Sequence, residues 1–146
     1  MGGVGCLAFA VRRPQLVDGV ASMNGSANLL EYANQTFLPA IAKSYGGTKT
    51  EIPLEWKARS AEYWPERLTM PVALAAGGRD TVVPPESVVR LAGVLKQLNR
   101  PVLLVYRETG GHSTTVEDAT AILEFVIRKA KEPAGAAASR PANRPE

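Results

Sequence analysis

Pro71-Val-Ala-Leu-Ala-Ala-Gly-Gly-Arg-Asp80 is the stretch whose reading decides the fold. Pro71 stands where a strand begins, a position at which its missing N–H costs no ladder bond. Val72 to Ala76 is apolar without alternation, which predicts a parallel strand covered on both faces. Gly77-Gly78 predicts a sharp backbone turn, and Asp80 then emerges beyond the strand's C-terminal end. Ligands and catalytic groups gather there in open α/β sheets. The chain's single histidine, His112, follows the next apolar strand, Pro101 to Tyr106, inside Thr109-Gly-Gly-His-Ser113. If the two strands are neighbours, Asp80 and His112 reach one rim. An imidazole held through one nitrogen by a carboxylate can move a proton with the other, so the two positions predict an acid–base pair. The plainer alternative is a surface histidine after a glycine turn.

Working outward, Met1 to Arg13 is a small-residue, apolar helical run stopped by Pro14. Gly3-x-Gly5-x-x-Ala8 fits a dinucleotide-binding fingerprint in form only, because that motif must follow a strand. The remaining readings are a frayed helix start or a motif cut in half. Val17 to Met23 is the next expected strand, stopped by Asn24-Gly25. Leu29 to Ala42 is expected to be helical with an interruption near Pro39, Tyr45-Gly-Gly-Thr48 a turn, and Leu54 to Tyr63 a second helical piece. This excursion holds Tyr32, Tyr45, Trp56, Tyr63 and Trp64, read either as aromatics packing helices onto the sheet or as a substrate-facing cap. Val88, Leu91, Leu95 and Leu98 have helical spacing and Asn99 ends that helix. Thr115 is expected to cap the last helix, with Asp118 at its third position and a buried stripe of Ala119, Ile122, Leu123 and Val126. Alternating strands and helices predict an α/β fold with right-handed crossovers and a mainly parallel sheet of about three strands. So small a sheet leaves an open edge and suits part of a larger domain. The expected organisation is one domain over residues 1–130 and a disordered Pro-, Ala- and Arg-rich tail over 131–146.

Composition narrows the function classes. Of 146 residues, 45% are hydrophobic and 21% charged, an ordinary globular profile. The net charge of +3 is scattered through Arg12-Arg13, Arg140 and Arg144 and forms no basic stripe, which argues against a nucleic-acid partner. One cysteine, Cys6, excludes an intrachain disulfide framework and a cysteine-rich zinc site. With one histidine and scattered carboxylates, neither a metal nor an organic cofactor is implied. No apolar run approaches the roughly 20 residues that span a bilayer, so no membrane partner is expected. The compartment is left open: the cytoplasm is marginally favoured, and any leader would belong to a longer parent.

A catalytic triad also needs a nucleophile. Ser113 adjoins the base awkwardly, Ser22 lies in a strand, Ser26 opens the excursion, and Ser60 and Ser87 lie in or near helices. Cys6 is read as a core residue. None occupies the strained Gly-x-Ser-x-Gly elbow. Taken in order, however, Met1-Gly-Gly with its small-residue helix and Arg13-Pro14, Tyr45-Gly-Gly, Arg59-Ser60, Pro71-Val to Gly77-Gly-Arg-Asp80 with Val83-Pro84, and Gly110-Gly-His112 resemble the C-terminal half of an α/β-hydrolase domain. The prolyl-oligopeptidase-like and esterase-like serine hydrolases are the nearest branches, and the resemblance runs from Met1 to about Lys129.

That resemblance implies a partial α/β-hydrolase fold without its N-terminal half. It makes Asp80 the triad acid and His112 the base, and makes Met1, Gly2 and Gly3 the remnant of the elbow and oxyanion site. The nucleophilic serine would stand immediately before Met1. The implied activity is hydrolysis of small-molecule esters or peptides, carried here by a fragment with only the acid and base. The alternative is a non-catalytic remnant or interaction module that self-associates through its open sheet edge, and a third reading is an active enzyme with an unrelated nucleophile.

Overall fold

The computed structural model describes residues 1–132. Its elements are helix α1 (Gly2–Arg12), strand β1 (Val20–Met23), helices α2 (Leu38–Tyr45) and α3 (Pro53–Ala58), strand β2 (Val72–Gly77), helix α4 (Glu86–Gln97), strand β3 (Val102–Arg107) and helix α5 (Val116–Lys131). The three strands form one parallel sheet in the order β1-β2-β3. Val72 pairs with Val20 on one side and Val102 on the other, and Gly77 pairs with Arg107. The anticipated neighbours are therefore adjacent, with Asp80 and His112 both leaving the same end of the sheet.

β2 is buried along its whole length, as its unalternating sequence requires. Its side chains alternate between two cores. Val72, Leu74 and Ala76 join Leu7, Val11, Val88, Leu91 and Leu95, contributed by α1 and α4. Ala73 and Ala75 meet Ile122 and Phe125 of α5 on the opposite face. A third cluster, around Leu29, Tyr32, Ile41 and Trp56, belongs to the excursion.

Several boundaries differ from expectation for local reasons. β1 begins at Val20, because Pro14–Leu16 forms a short 3-10 turn that ends at Val17. The helix expected from Leu29 begins only at Leu38. Asn28 Oδ1 accepts from the Leu30 and Glu31 amides, and Asn34 Oδ1 from that of Thr36, turns that compete with helix. Pro39 thus starts α2 instead of interrupting it, at a first-turn position where its missing N–H is harmless. α2 ends at Gly46, whose φ of 88° gives the left-handed residue of the expected turn. The Leu54 to Tyr63 piece divides into α3 and a 3-10 turn over Ala61–Tyr63. Asn99 ends α4 in the left-handed conformation, φ 53°, which leaves Leu98 at the cap and exposed instead of in the buried stripe.

α5 behaves likewise. Thr115 Oγ1 accepts from the Asp118 amide, as expected of the cap. Leu123 is exposed, and Phe125 takes its place beside Ile122 and Val126. Lys131 of the expected tail is still helical, and Glu132 ends the helix while accepting from Lys129. The rest of that tail, residues 133–146, lies outside the described residues. β3 is an edge strand, half-buried at first and exposed at Tyr106 and Arg107. No helix among the described residues is long and apolar enough to cross a membrane.

Candidate active site

Asp80 is delivered by a turn that its own side chain holds. Its Oδ1 accepts from the backbone N–H groups of Val82 and Val83, both at 2.9 Å. The other oxygen, Oδ2, lies 2.7 Å from His112 Nδ1. Asp80 is buried, whereas His112 stands at the surface. An ionised carboxylate only accepts, so opposite one the hydrogen of this contact belongs to Nδ1, and a neutral imidazole in that tautomer keeps its lone pair on Nε2. The sequence-predicted acid and base are thus in contact through the nitrogen that an orienting role requires.

The glycines before Asp80 serve a purpose that the sequence reading missed. Neither Gly77 nor Gly78 has a positive φ, so left-handed backbone is not what selects them. A Cβ on Gly77 would stand 2.4 Å from the Gly111 carbonyl oxygen and 2.5 Å from that of Gly110. The histidine loop crosses directly over the acid's strand end, and only glycine leaves it room. Backbone bonds join the two segments: Gly78 N–H donates to Arg107 and Arg79 N–H to Gly110, each at 2.8 Å. The far end of the same loop is tied by Arg107, whose guanidinium forks onto the Asp118 carboxylate at 3.0 and 2.6 Å. That bond holds the Asp118 carboxyl below its ordinary range.

Met1, Gly2 and Gly3 lie at the N-terminus of α1. Met1 lines one pocket together with His112, and Val4, Leu29, Phe37, Ile41, Tyr45 and Val83 supply most of its apolar wall. The pocket is small, about 60 Å³. Gly3 packs against the turn after β1, where an added Cβ would stand 2.6 Å from the Met23 carbonyl oxygen and 2.9 Å from Gly25. The aromatics of the excursion therefore do two things. Trp56 is buried edge-to-face against Tyr45, their ring centroids 5.2 Å apart, and the exposed side of the same cluster walls the pocket. A larger polar cavity, about 350 Å³, lies beside Tyr32 and Asn34, away from His112.

The candidate nucleophiles are held elsewhere. Ser22 donates to the Gly3 carbonyl at 2.9 Å, Ser60 donates to the Trp56 carbonyl while accepting from the Leu29 amide, and Ser87 accepts from the Ala27 amide. Ser26 donates to the Asn28 carbonyl. All four are buried. Burial pushes the Cys6 thiol up, and it donates to the Gly3 carbonyl. Ser113 is exposed beside His112. Among the described residues no cluster of three metal-ligating side chains occurs.

A parallel sheet carrying a carboxylate and an imidazole beyond adjacent strand ends fits the α/β-hydrolase class. The sequence matches the prolyl oligopeptidase family over residues 1–132, and the chain belongs to that family. Among solved structures it resembles the acylaminoacyl peptidase of Pyrococcus horikoshii, at 21% identity and a TM-score of 0.69 over 89% of this chain and 23% of that one. A puromycin-hydrolyzing peptidase of Mycobacterium tuberculosis gives 24% and 0.67, over 89% and 21%. A monoacylglycerol lipase of Paleococcus ferrophilus gives 19% and 0.59, over 87% and 65%. Likeness at these identities establishes the fold, a partial α/β-hydrolase domain. The chain spans about a fifth of the length of the peptidases. A search of curated proteins finds no match.

Proposed function

We propose that this chain supplies the acid, Asp80, and the base, His112, of a serine hydrolase whose nucleophile precedes Met1. The observation that carries the reading is the 2.7 Å contact between Asp80 Oδ2 and His112 Nδ1, beside a pocket that Met1 also lines. In this reading His112 Nε2 removes the proton of a serine hydroxyl as its oxygen bonds to the substrate carbonyl carbon. The imidazolium then protonates the leaving amine or alcohol as that bond breaks. Water repeats the sequence on the acyl-enzyme, restoring the serine. Asp80 remains ionised and holds the imidazolium. The backbone N–H of Met1, as an internal amide of a longer chain, would donate to the developing oxyanion, with Gly2 and Gly3 opening α1 behind it and Gly3 packed closely on the turn after β1. The apolar pocket suits a hydrophobic side chain next to the scissile carbonyl, and membership of a peptidase family favours peptides over other esters and amides.

The test uses a fluorophosphonate probe on two polypeptides: the 146-residue chain, and the same chain extended by the in-frame upstream sequence. Labelling only of the extended form, at a serine directly before Met1, supports the reading. Labelling of a serine within the 146 residues overturns it, as does an upstream frame without a Gly-x-Ser. A non-catalytic binding module has one observation in its favour, the two sheet edges β1 and β3, unpaired among the described residues. It requires concentration-dependent association in sedimentation.

A further inference from the structure

Two donors outside the Asp80 turn converge on a single carbonyl oxygen within it. Tyr32 Oη donates to Val82 O at 3.2 Å, and Asn34 Nδ2 donates to the same oxygen at 3.3 Å. That carbonyl and the Val83 N–H are the two ends of one peptide unit. The Val83 N–H donates to Asp80 Oδ1 at 2.9 Å, and Asp80 Oδ2 meets His112 Nδ1 at 2.7 Å. From the excursion to the base there is thus an unbroken series: phenol and amide, peptide, carboxylate, imidazole. Tyr32 is buried and Asn34 half-buried, so water competes weakly for the shared oxygen.

We propose that Tyr32 and Asn34 are positioning residues for the acid, acting on Asp80 and through it on His112 by way of the Val82–Val83 peptide. Two physical effects work in the same direction. Donation to a carbonyl polarises its peptide and strengthens the N–H at the other end, here the one aimed at Asp80. Two donors from different directions also fix the plane of that peptide, and hence where the Val83 N–H points. A single bond would leave the turn free to pivot. Tyr32 remains a donor over a wide pH range, because burial, with the Asp80 charge adding to it, pushes its phenol up. Nothing in the sequence signals this. The donors lie 48 to 50 residues before Val82, in a segment that the sequence leads one to expect as helix.

The inference rests on the Asp80–His112 pair having the role proposed above, and the chain's single histidine lets the two be tested separately. In the 15N-labelled 146-residue chain, the Nδ1 proton of His112 gives a low-field signal whose exchange with water is measurable. Tyr32→Phe keeps the ring and removes only the hydroxyl. Asn34→Asp keeps the oxygen that accepts from Thr36 and removes the amide donor. Each is expected to speed Nδ1 proton exchange by about two- to tenfold, the range of one ordinary hydrogen bond, and the double variant by more than either. Asp80→Asn sets the limit of full loss. Exchange at the wild-type rate in both variants, with a lowered melting temperature, would mean that the two side chains only pack, and the inference fails. A wild-type chain without a protected Nδ1 proton overturns the pairing itself. Should Tyr32→Phe not fold, Asn34→Asp decides alone.

Discussion

Gly77→Ala is the substitution for which the structure gives the sharpest expectation. The new methyl would stand 2.4 and 2.5 Å from the Gly111 and Gly110 carbonyl oxygens and 2.7 Å from the Gly110 carbonyl carbon. All three are backbone atoms of the loop that carries His112, so no side chain can swing aside. Ordinary contact at about 3.4 Å requires the loop to retreat by roughly 1 Å, which is overpacking of the kind that costs about 1–3 kcal/mol. The retreat stretches the Arg79-to-Gly110 bond, now 2.8 Å, and its weakening adds about 1 kcal/mol. At roughly 3–4 °C per kcal/mol for a domain of this size, a total of about 2–4 kcal/mol lowers the melting temperature by roughly 6–16 °C. The histidine leaves with its loop, so the low-field Nδ1 proton should weaken or vanish even where the variant is folded. Gly93→Ala is the control. Gly93 is exposed within α4 and nothing lies within 4 Å of its would-be Cβ, so alanine should stabilise by about 0.5–1 kcal/mol. Calorimetry with one-dimensional proton spectra reads both. If Gly77→Ala melted within 2 °C of wild type and kept the His112 signal, the claim that close loop approach selects this glycine would be wrong.

Ser60→Ala should cost about 1–3 kcal/mol in urea denaturation, because it leaves the buried Leu29 amide without an acceptor. Asp118→Asn tests the tie at the end of the histidine loop. The folded-state pKa of Asp118 is depressed by Arg107, so its contribution is present above the ordinary carboxylate value of 3.8 and is lost as pH falls through the lower folded value. Wild type should therefore exceed the variant in stability at pH 6 and lose that advantage on acidification below about pH 4, as read by melting temperature against pH. In the upstream-extended polypeptide, His112→Ala should lower kcat by about 10²- to 10⁴-fold with an ester substrate, the usual worth of a positioned base. An unchanged kcat there would remove His112 from the mechanism.

How much of this was legible beforehand depends on how far each determinant lies along the chain. β2, β3 and α4 were readable because unbroken apolar runs and 3.6-residue spacing are local consequences of burial. Asp80 and His112 were readable because each follows such a strand directly. The excursion was not. Asn28 and Asn34 fold back on their own backbone, and this breaks a stretch whose Leu29, Leu30 and Ile41 otherwise suggest helix. Leu98 and Leu123 kept the right period but fell at a helix cap and on an outer flank. Gly77 was read for its turn, which the Asp80 N–H to Gly77 carbonyl bond at 3.1 Å closes, but not for its close packing. A sequence reveals that a residue lacks a side chain, whereas what that vacancy accommodates, here a loop 33 residues later, is a fact of tertiary structure.

The same distinction explains why the site is held so firmly for so small a sheet. Acid and base each sit on a loop, and a loop alone gives little angular precision. Here three independent ties remove that freedom. The Asp80 carboxylate closes its own turn on two amides, the histidine loop is bonded to the glycines before Asp80, and the Arg107–Asp118 pair joins β3 to the first turn of α5. Each tie uses groups contributed within residues 77–118, with Tyr32 and Asn34 the outside reinforcement. The geometry of the pair is accordingly a property of β2, β3 and the loops between β2 and α5. The pocket beside His112 is lined by Val82, Val83 and His112 of this stretch and by Met1, Leu29, Phe37, Ile41 and Tyr45 from outside it. The Asp80–His112 geometry is thus set within one stretch, whereas the pocket wall is shared between that stretch, the excursion and the start of α1. A change in the excursion that leaves Tyr32 and Asn34 in place can reshape the pocket without moving His112.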